Sequence, residues 1–291
     1  MKLRTDLHVL LPMPRSSPVA KDRPTLALRV FKGRYLMVFL LGLGLFVLAG
    51  ESLAGPGKPG IIRTLLKWTP MMFWGPPSQF GGFSLNLVVS FLSMAIGTIL
   101  GLFVGLGQLS IYRPIRSVSW FFTQIFRNSP WLVLMFYIMF ALPYKINWFG
   151  TVIQVPAWIK ATLGLSLPIM GNISEIVRGA VKSIPVSQWE AAESLAFKRF
   201  QTLRMIILPQ CVKRMIPPWM NWYAILTMAT PIIAIVGVND ALLLARDALA
   251  AENRGEVLIP MYLYLLTWFF IYCYPIARLT ARLERKYHVN I

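Results

Sequence analysis

Long apolar segments separated by short basic stretches constrain this chain more than any other feature. Hydrophobic residues make up 56% of the 291 residues and charged residues 14%, whereas a soluble domain carries about 25% charged residues. Several segments approach the ~20 residues that a helix needs to cross a bilayer. The sequence therefore predicts an all-α polytopic membrane protein, with spans at residues 35–54, 83–109, 118–142, 158–173, 215–238 and 258–279.

The lysines and arginines between these segments predict the orientation. The formal net charge is +18, but the basic residues flank apolar segments instead of forming one basic domain, so nucleic acid is not an expected partner. Because loops rich in lysine and arginine stay on the cytoplasmic side, both chain ends are predicted to be cytoplasmic. Cys211 and Cys273 lack metal-ligand spacing, and His8 and His288 stand alone, so neither a metal site nor a catalytic histidine is expected.

Three elements are predicted before or beside the main membrane domain at residues 79–291. Residues 1–34 hold eight basic residues and four prolines, which predicts a disordered cytoplasmic tail in contact with anionic membrane lipid. Residues 35–54 are predicted to form a transmembrane anchor, and a signal peptide cleaved near residues 52–54 is the alternative. Residues 61–74 contain two tryptophans and two basic residues, which predicts a helix lying at the membrane interface.

Two features inside the spans concern packing and transport. Gly97, Gly101 and Gly105 recur every four residues, and small residues at this spacing allow two helices to approach closely. Arg127 lies in a predicted span shortly before Pro130. An arginine inside a membrane usually faces a bundle interior or a watery cavity. Arg127 is therefore predicted either to contact substrate or to extend its side chain to the inner interface.

The span at residues 215–238 is interrupted by Thr230 and Pro231. Broken helices at membrane depth often line a transport path. Asn221 and Thr227 precede the break at three- or six-residue steps, which predicts one polar face shared with Thr230. Helix packing alone is the alternative role for these polar residues. The candidate substrate-path residues are Thr230, Thr227, Asn221, Arg127 and Asn86.

The most polar long segment covers residues 175–210. Residues 187–190 have the S-x-x-E pattern of a capping box, which predicts a helix that starts at Gln188. Pro209 is predicted to end a second helical piece, because the residue before a proline avoids the helical conformation. The prolines at residues 217–218 are predicted to start the next span.

This segment resembles the EAA loop of ABC importer permeases. The family pattern is E-A-A followed by a glycine and then by I-x-L-P. Here the pattern stands as E-A-A at residues 190–192, Ala196 at the glycine position and I-I-L-P at residues 206–209. Residues 175–179 and 183–185 match the branch of the family that carries polar amino acids. The resemblance extends over residues 66–290.

The resemblance implies the type I ABC importer permease fold, with five core transmembrane helices after the amino-terminal one. It implies a chain in the bacterial inner membrane that moves a polar amino acid or an opine-like zwitterion. A cytoplasmic ATPase dimer would dock on the loop at residues 178–213, beside a second permease subunit, sister or identical, and a periplasmic binding protein. The implied docking residues are Glu190, Ala191, Ala192, Glu193 and Ala196.

The resemblance also implies that this chain is not an enzyme. No Walker sequence G-x-x-x-x-G-K-[ST] occurs in it, so no cofactor is expected on this chain, and ATP and magnesium would be bound by the separate ATPase. An ion channel or an ATP-independent pore is the alternative function, but it would not need an ATPase-docking loop. A membrane enzyme is a third hypothesis. The chain does not support it, because the spans contain no paired histidines, cysteines or carboxylates at usable spacing.

Three positions depart from the family pattern. The methyl group of Ala196, at the family's glycine, is predicted to tighten or shift the docking contact. The family's K-D-T-S-L is replaced by M-A-T-P-I at residues 228–232, which weakens any transfer of substrate contacts to this chain. Asp240 stands where the family usually has glutamate.

Overall fold

A computed structural model describes residues 59–148 and 151–287, together with Gly42 and Gly44. The predicted tail at residues 1–34 lies outside the described residues, as does the predicted anchor apart from those two glycines. The described helices are α1 (Ile61–Trp74), α2 (Gly82–Gly107), α3 (Arg113–Asn128), α4 (Trp131–Ala141), α5 (Ala157–Lys182), α6 (Val186–Ser194), α7 (Arg199–Thr202), α8 (Leu208–Ala229), α9 (Ala241–Glu252) and α10 (Leu258–Tyr287). A π-helical turn (Leu203–Ile207), two 3-10 turns (Thr230–Val236 and Gly255–Val257) and the strands β1 (Lys145–Trp148) and β2 (Thr151–Gln154) complete the order.

The described chain is mainly helical, which confirms the all-α prediction apart from one short hairpin. Within it, three stretches are long and apolar enough to cross a membrane, namely Gly82–Gly107, Arg199–Val236 and Gly255–Lys286. α5 is less apolar but packs against α2, α3, α4 and α8. Its Leu165 and Ile169 side chains are fully buried. The bundle is therefore organised around α5, which extends beyond its predicted inner end at residue 173.

The closest helix contact joins α2 to α5 and confirms the role predicted for the repeated glycines. A Cβ atom added at Gly97 would lie 2.6 Å from Ile169 Cγ2, and one added at Gly101 would lie 2.7 Å from Ile173 Cβ. The same operation at Gly105 gives 2.8 Å to the Ser174 carbonyl oxygen. Since such distances are far inside van der Waals contact, only glycine fits along this face of α2.

Pro130 divides the predicted span at residues 118–142 into α3 and α4. The preceding Ser129 is extended, with φ −83° and ψ 144°, as expected for a residue before proline. Gly171 of α5 faces the break, since a Cβ added there would lie 2.7 Å from the Arg127 backbone nitrogen. The end of α3 is therefore held directly against α5.

Pro209 and the prolines at residues 217–218 do not end or start helices as the sequence predicted. Pro209 does not end a helix, because α8 starts at Leu208 with φ −57° and ψ −42°. Pro209 lies where the π-helical turn Leu203–Ile207 continues directly into α8, and the Leu208 N–H beside it donates to the Leu203 carbonyl oxygen. Residues 217–218 do not start a helix but lie inside α8. Helices in membranes tolerate such prolines because neighbouring helices and local turns satisfy the freed backbone groups.

A hairpin of two short strands connects α4 to α5. Strands β1 and β2 are antiparallel, with Ile146 opposite Ile153. The buried Lys160 side chain lies below the hairpin and donates from Nζ to the Leu142 carbonyl oxygen at 2.7 Å. Its Nζ also lies 3.3 Å from the centroid of the Tyr144 ring. A lysine of α5 therefore satisfies a carbonyl group at the end of α4, a contact that the sequence did not predict.

Helix α1 has the bounds that the sequence predicted, and it packs against the other end of the described chain. Lys67 Nζ and Trp68 Nε1 both donate to Glu252 Oε1 at 2.7 Å. Ile61 and Leu65 are buried in a cluster with residues of α9 and α10. Whether α1 lies at the membrane interface stays a prediction.

Candidate functional site

Helix α6 is the centre of the segment that resembles the EAA loop. It starts at Val186, two residues before the predicted Gln188, and Pro185 precedes it with φ −55° and ψ 141°. No side chain caps its start, so the predicted capping box is wrong. Because the helix starts earlier, the Ser187 hydroxyl lies inside the first turn and is not at the capping position. Gln188 instead accepts a hydrogen bond at 2.7 Å from Gln210 Nε2 of α8.

The predicted docking residues divide between the outer and inner faces of α6. Glu190, Ala191 and Glu193 are exposed. Ala192 is only 1% exposed, and its carbonyl oxygen accepts a hydrogen bond from the Phe197 backbone N–H at 3.1 Å. Ala192 therefore packs against its own chain in the state described, and its contact with a partner stays a prediction.

Ala196 ends α6 in the left-handed backbone region, with φ 58°. Its N–H donates to the Glu193 carbonyl oxygen at 2.8 Å, and the Phe197 N–H donates to the Ala192 carbonyl oxygen. These two bonds form a Schellman motif, whose left-handed position usually holds glycine. The family's glycine is therefore explained by backbone conformation. The Ala196 methyl group therefore acts on the conformation of this turn, and its predicted effect on docking stays a prediction. The family's preference for glycine at this position is the sequence signal for a left-handed turn.

We expect Ala196→Gly to raise the free energy of unfolding by about 0.5–1 kcal/mol. The left-handed conformation costs a residue with a Cβ atom about 1–2 kcal/mol, and part of this gain is offset by the greater freedom of glycine in the unfolded chain. Unfolding of the purified protein in detergent measures the change. The matched variant Ala250→Gly, at an exposed helical position in α9, should lose about 1 kcal/mol. A loss at both positions would contradict the left-handed assignment.

The short turn between α5 and α6 is tied to α8. Arg214 of α8 donates from Nη1 to the Ser183 carbonyl oxygen at 2.8 Å and to the Ser183 hydroxyl at 2.7 Å. Beneath the turn, Ile184 packs with Ile207 and Cys211 in a buried cluster. Displacement of α6 would therefore be transmitted to the end of α5 and the start of α8.

A groove of about 440 Å³ runs along one side of α6. Val186, Trp189 and Glu193 line it from α6, and Arg199 closes it from α7. The Arg199 guanidinium carbon lies 5.9 Å from the Trp189 ring centroid, within cation–π range. The groove combines an aromatic ring with charges of both signs, which suits an interface with another protein.

A charged cluster joins α3 to the inner half of α5. Arg178 donates from Nε to both Glu175 carboxylate oxygens, at 3.3 and 3.2 Å, and its Nη2 also donates to Oε2. Arg127 Nη1 lies 3.8 Å from the same Oε2, with its side chain 45% exposed. Arg127 thus combines a weak ion pair with an accessible guanidinium, and both of its predicted roles stay open.

Three candidate path residues meet in a buried polar network at the far end of α8. Asn86 Nδ2 donates to the Thr230 hydroxyl at 3.1 Å and to Asp240 Oδ2 at 3.0 Å. The Asn86 side-chain oxygen accepts from the Ala241 N–H at 3.0 Å. Thr230 donates to the carbonyl oxygen of Thr227 at 2.8 Å. The network therefore ties α2, the end of α8 and the start of α9 together. It includes Asp240, which the sequence analysis identified only as a departure from the family's glutamate.

The remaining candidates lie apart from this network. Asn221 is exposed, whereas Thr227 and Thr230 are fully buried. The predicted polar face shared by all three is therefore wrong for Asn221, because six helical positions between Asn221 and Thr227 leave a wide angle at about 3.6 residues per turn. Arg127 belongs to the cluster at Glu175. The five predicted residues thus occupy three places.

The stability should depend on pH through Asp240, which lies between candidate spans. Burial raises its pKa to about 6, although hydrogen bonds from the Leu243 backbone and the Asn86 side chain act in the opposite direction. An unfolded aspartate has a pKa of about 3.9, so the folded protein binds this proton more tightly than the unfolded chain does. We therefore expect stability to fall as the pH rises from about 4 to about 6, by at most about 3 kcal/mol.

Thermal unfolding across this pH range checks the expectation, with Asp240→Asn as the variant that removes the titrating group. The stability difference between the wild type and Asp240→Asn should then change with pH. Asp247→Asn, at an exposed aspartate of α9, is the matched control and should give a much flatter difference. A flat difference for Asp240→Asn as well would contradict the assignment.

Comparisons with known proteins agree with this geometry. The family described as "Binding-protein-dependent transport system inner membrane component" matches residues 97–287. The chain is 33% identical over 211 residues to the probable amino-acid ABC transporter permease protein YckA of Bacillus subtilis (strain 168), covering 72% of this chain and 89% of that protein. It is 29% identical over 227 residues to the histidine/lysine/arginine/ornithine transport system permease protein HisM of Escherichia coli (strain K12), covering 76% and 92%.

The fold also matches solved structures. A chain from a crystal structure of an amino acid ABC transporter with histidines superposes with a TM-score of 0.65 and 24% identity, over 79% of this chain and 99% of that one. At this identity the likeness concerns the fold alone, while the family match covers most of the chain. The chain therefore belongs to the family of binding-protein-dependent transport system inner membrane components, and it is an ABC importer permease subunit and not an enzyme.

Proposed function

We propose that this chain forms part of the path by which an ABC importer moves a polar amino acid or a related zwitterion across the bacterial inner membrane. One observation carries the proposal. Helix α6 is exposed on one face and bonded to α8 through Gln188, and the Ser183 turn that joins it to α5 is bonded to α8 through Arg214. The substrate class follows the two relatives, which are both named as amino-acid permeases.

A cytoplasmic ATPase dimer would dock on α6. The exposed side chains available to it are Glu190, Ala191 and Glu193, and the groove beside Trp189 offers a site for a side chain of the ATPase. ATP and magnesium would be bound by the ATPase. A second permease, identical or sister, and a periplasmic binding protein would complete the importer, with both ends of this chain in the cytoplasm.

Movement of the docked ATPases would reach the path through α8. This helix, with the turns on either side of it, runs from Leu203 next to the docking segment to Val236. The buried network of Asn86 and Thr230 lies near its far end. ATPase closure that displaces α6 would therefore act on that network through a continuous helical element, as rigid elements do in alternating access.

The candidate path residues would then have two different roles. Thr230, Thr227 and Asn86 are buried and use their polar groups within the chain, so we propose that they hold the path closed at this end in the state described. Arg127 and Asn221 are exposed and stay available to substrate or to the second permease.

Reconstitution of the transporter in proteoliposomes tests the proposal. The tagged chain should copurify with an ABC ATPase. Uptake of polar amino acids should require the ATPase, hydrolysis of ATP inside the proteoliposomes, and the binding protein. Proteoliposomes loaded with a non-hydrolysable ATP analogue provide the control. Uptake that continues without hydrolysis would contradict the importer assignment and favour a pore.

Labelling of single cysteines tests the orientation. Cysteine at exposed Lys198 should react only from the cytoplasm, and cysteine at exposed Lys145 only from outside. The native Cys211 and Cys273 are buried, so they should give little background. Labelling of position 198 from outside would overturn the topology, because α6 could then never contact a cytoplasmic ATPase.

A further inference from the structure

A second pocket, of about 230 Å³, shares Val186, Trp189 and Arg199 with the groove described above. Its apolar wall is formed by Leu109, Val181, Ile184 and Leu203. Lys182 and Arg199 also line it. No carboxylate lines this pocket, whereas Glu193 lines the neighbouring groove.

The wall residues come from the ends of three membrane helices. Leu109 follows the end of α2, Val181 lies in the last turn of α5, and Leu203 follows α7 at the start of the span that continues as α8. Residues at these positions lie where helices leave the hydrocarbon region. The pocket is therefore expected at the depth of the lipid headgroups, where tryptophans such as Trp189 are also enriched.

The two cations of the pocket are available to an anion. Lys182 is exposed and forms no ion pair within the described part of the chain. Among the described residues, the Arg199 side chain makes a 3.5 Å contact from Nη2 to the Leu109 carbonyl oxygen and the cation–π contact with Trp189. Neither contact neutralises the guanidinium charge.

We propose that this pocket binds an anionic phospholipid of the cytoplasmic leaflet, with the phosphate at Lys182 and Arg199 and the first part of an acyl chain on the apolar wall. Basic pockets between membrane helices suit such headgroups. The proposal rests on the cytoplasmic placement of α6 proposed above. A carboxylate of the ATPase would satisfy the cations as well, but it would leave the apolar wall at the helix ends uncovered.

The bound lipid would join the connection after α2 to the segment that carries α6. Leu109 and Arg199 already touch across the pocket, and a phosphate between Arg199 and Lys182 would hold the end of α5 in the same unit. The coupling of ATP hydrolysis to uptake should therefore increase with the fraction of anionic lipid.

Native mass spectrometry of the purified transporter tests the lipid site, with phosphatidylglycerol and phosphatidylcholine as probes. The wild type should retain phosphatidylglycerol in preference to phosphatidylcholine. Lys182→Gln should weaken this retention about fivefold, the loss expected for one cation near an anionic headgroup, and Lys182→Arg should preserve it. Lys213→Gln, at an exposed lysine of α8 outside the pocket, is the matched control and should retain phosphatidylglycerol like the wild type.

A second variant tests the pocket without changing charge. Leu109→Trp should fill the apolar wall and reduce phosphatidylglycerol retention while ATPase copurification persists. Equal retention in the wild type and both pocket variants would overturn the lipid site. So would weaker ATPase association of Lys182→Gln in nanodiscs of phosphatidylcholine alone, since the pocket would then serve the ATPase. Failure of the wild type to copurify with any ATPase would instead count against the proposed function, because lipid retention is measured separately.

Discussion

Glu190→Lys should reduce ATP-driven uptake to background while leaving the chain folded in the membrane. Glu190 is exposed. Its backbone carbonyl oxygen accepts a hydrogen bond from the Ser194 hydroxyl at 2.9 Å, and its carboxylate forms no hydrogen bond or ion pair within the described chain. Folding therefore does not depend on its carboxylate. A lysine would reverse the charge at the centre of the proposed docking surface, and like charges placed against each other across an interface cost several kcal/mol.

The measurement compares uptake and ATP hydrolysis in proteoliposomes. Glu190→Lys should lose stimulation of hydrolysis by the loaded binding protein together with uptake. Glu284→Lys makes the same charge change at an exposed glutamate of α10, and it should transport like the wild type. Normal uptake by Glu190→Lys would reject α6 as the docking helix.

Gly101→Ala should cost about 3 kcal/mol of stability, the upper end of the range for overpacked cores. The new methyl carbon would lie 2.7 Å from Ile173 Cβ and 2.9 Å from the Met170 carbonyl oxygen. The second atom belongs to the backbone of α5, so a side-chain rotation cannot relieve the contact. Helices α2 and α5 would have to separate along the contact that organises the bundle.

Thermal unfolding in detergent measures this loss, and Gly179→Ala is the matched control. Gly179 also lies in a helix, but a Cβ added there has no atom within 4 Å. Gly179→Ala should therefore gain up to about 1 kcal/mol from helix propensity. Ile173→Gly removes both Ile173 atoms that the new methyl would meet, Cβ and Cγ2, and it should therefore partly restore Gly101→Ala in a double-mutant cycle. A small effect of Gly101→Ala, equal to that of Gly179→Ala, would contradict the close contact.

The parts of the fold that could be predicted depend on local rules. The bounds of α1 follow from the tryptophans and basic residues of a short segment, and the close contact of α2 follows from the spacing and small size of its glycines. The location of the docking segment came from a family resemblance, and its helix start was wrong by two residues. Helix ends are the least certain part of such predictions because a proline and a capping residue can define different starts.

The parts that could not be predicted depend on distant partners. The role of Lys160 could not be predicted because nothing near it in sequence reveals that the end of α4 offers carbonyl groups. The hydrogen bonds of Asn86 could not be predicted because its partners, Thr230 and Asp240, lie more than a hundred positions away in sequence. Ala192 was assigned to the docking surface because the sequence pattern does not show which face of α6 is covered.

The π-helical turn at Leu203–Ile207 has a consequence for aligning this chain with its relatives. Each N–H in such a turn reaches one residue further back than in an α-helix, so the turn accommodates one additional residue, equivalent to a rotation of about 100°. A relative with a single deletion between positions 202 and 208 could replace the turn with regular α-helix and still present the same side of α8 to α5. An alignment that forbids a gap there would assign every later residue of α8 to the wrong face.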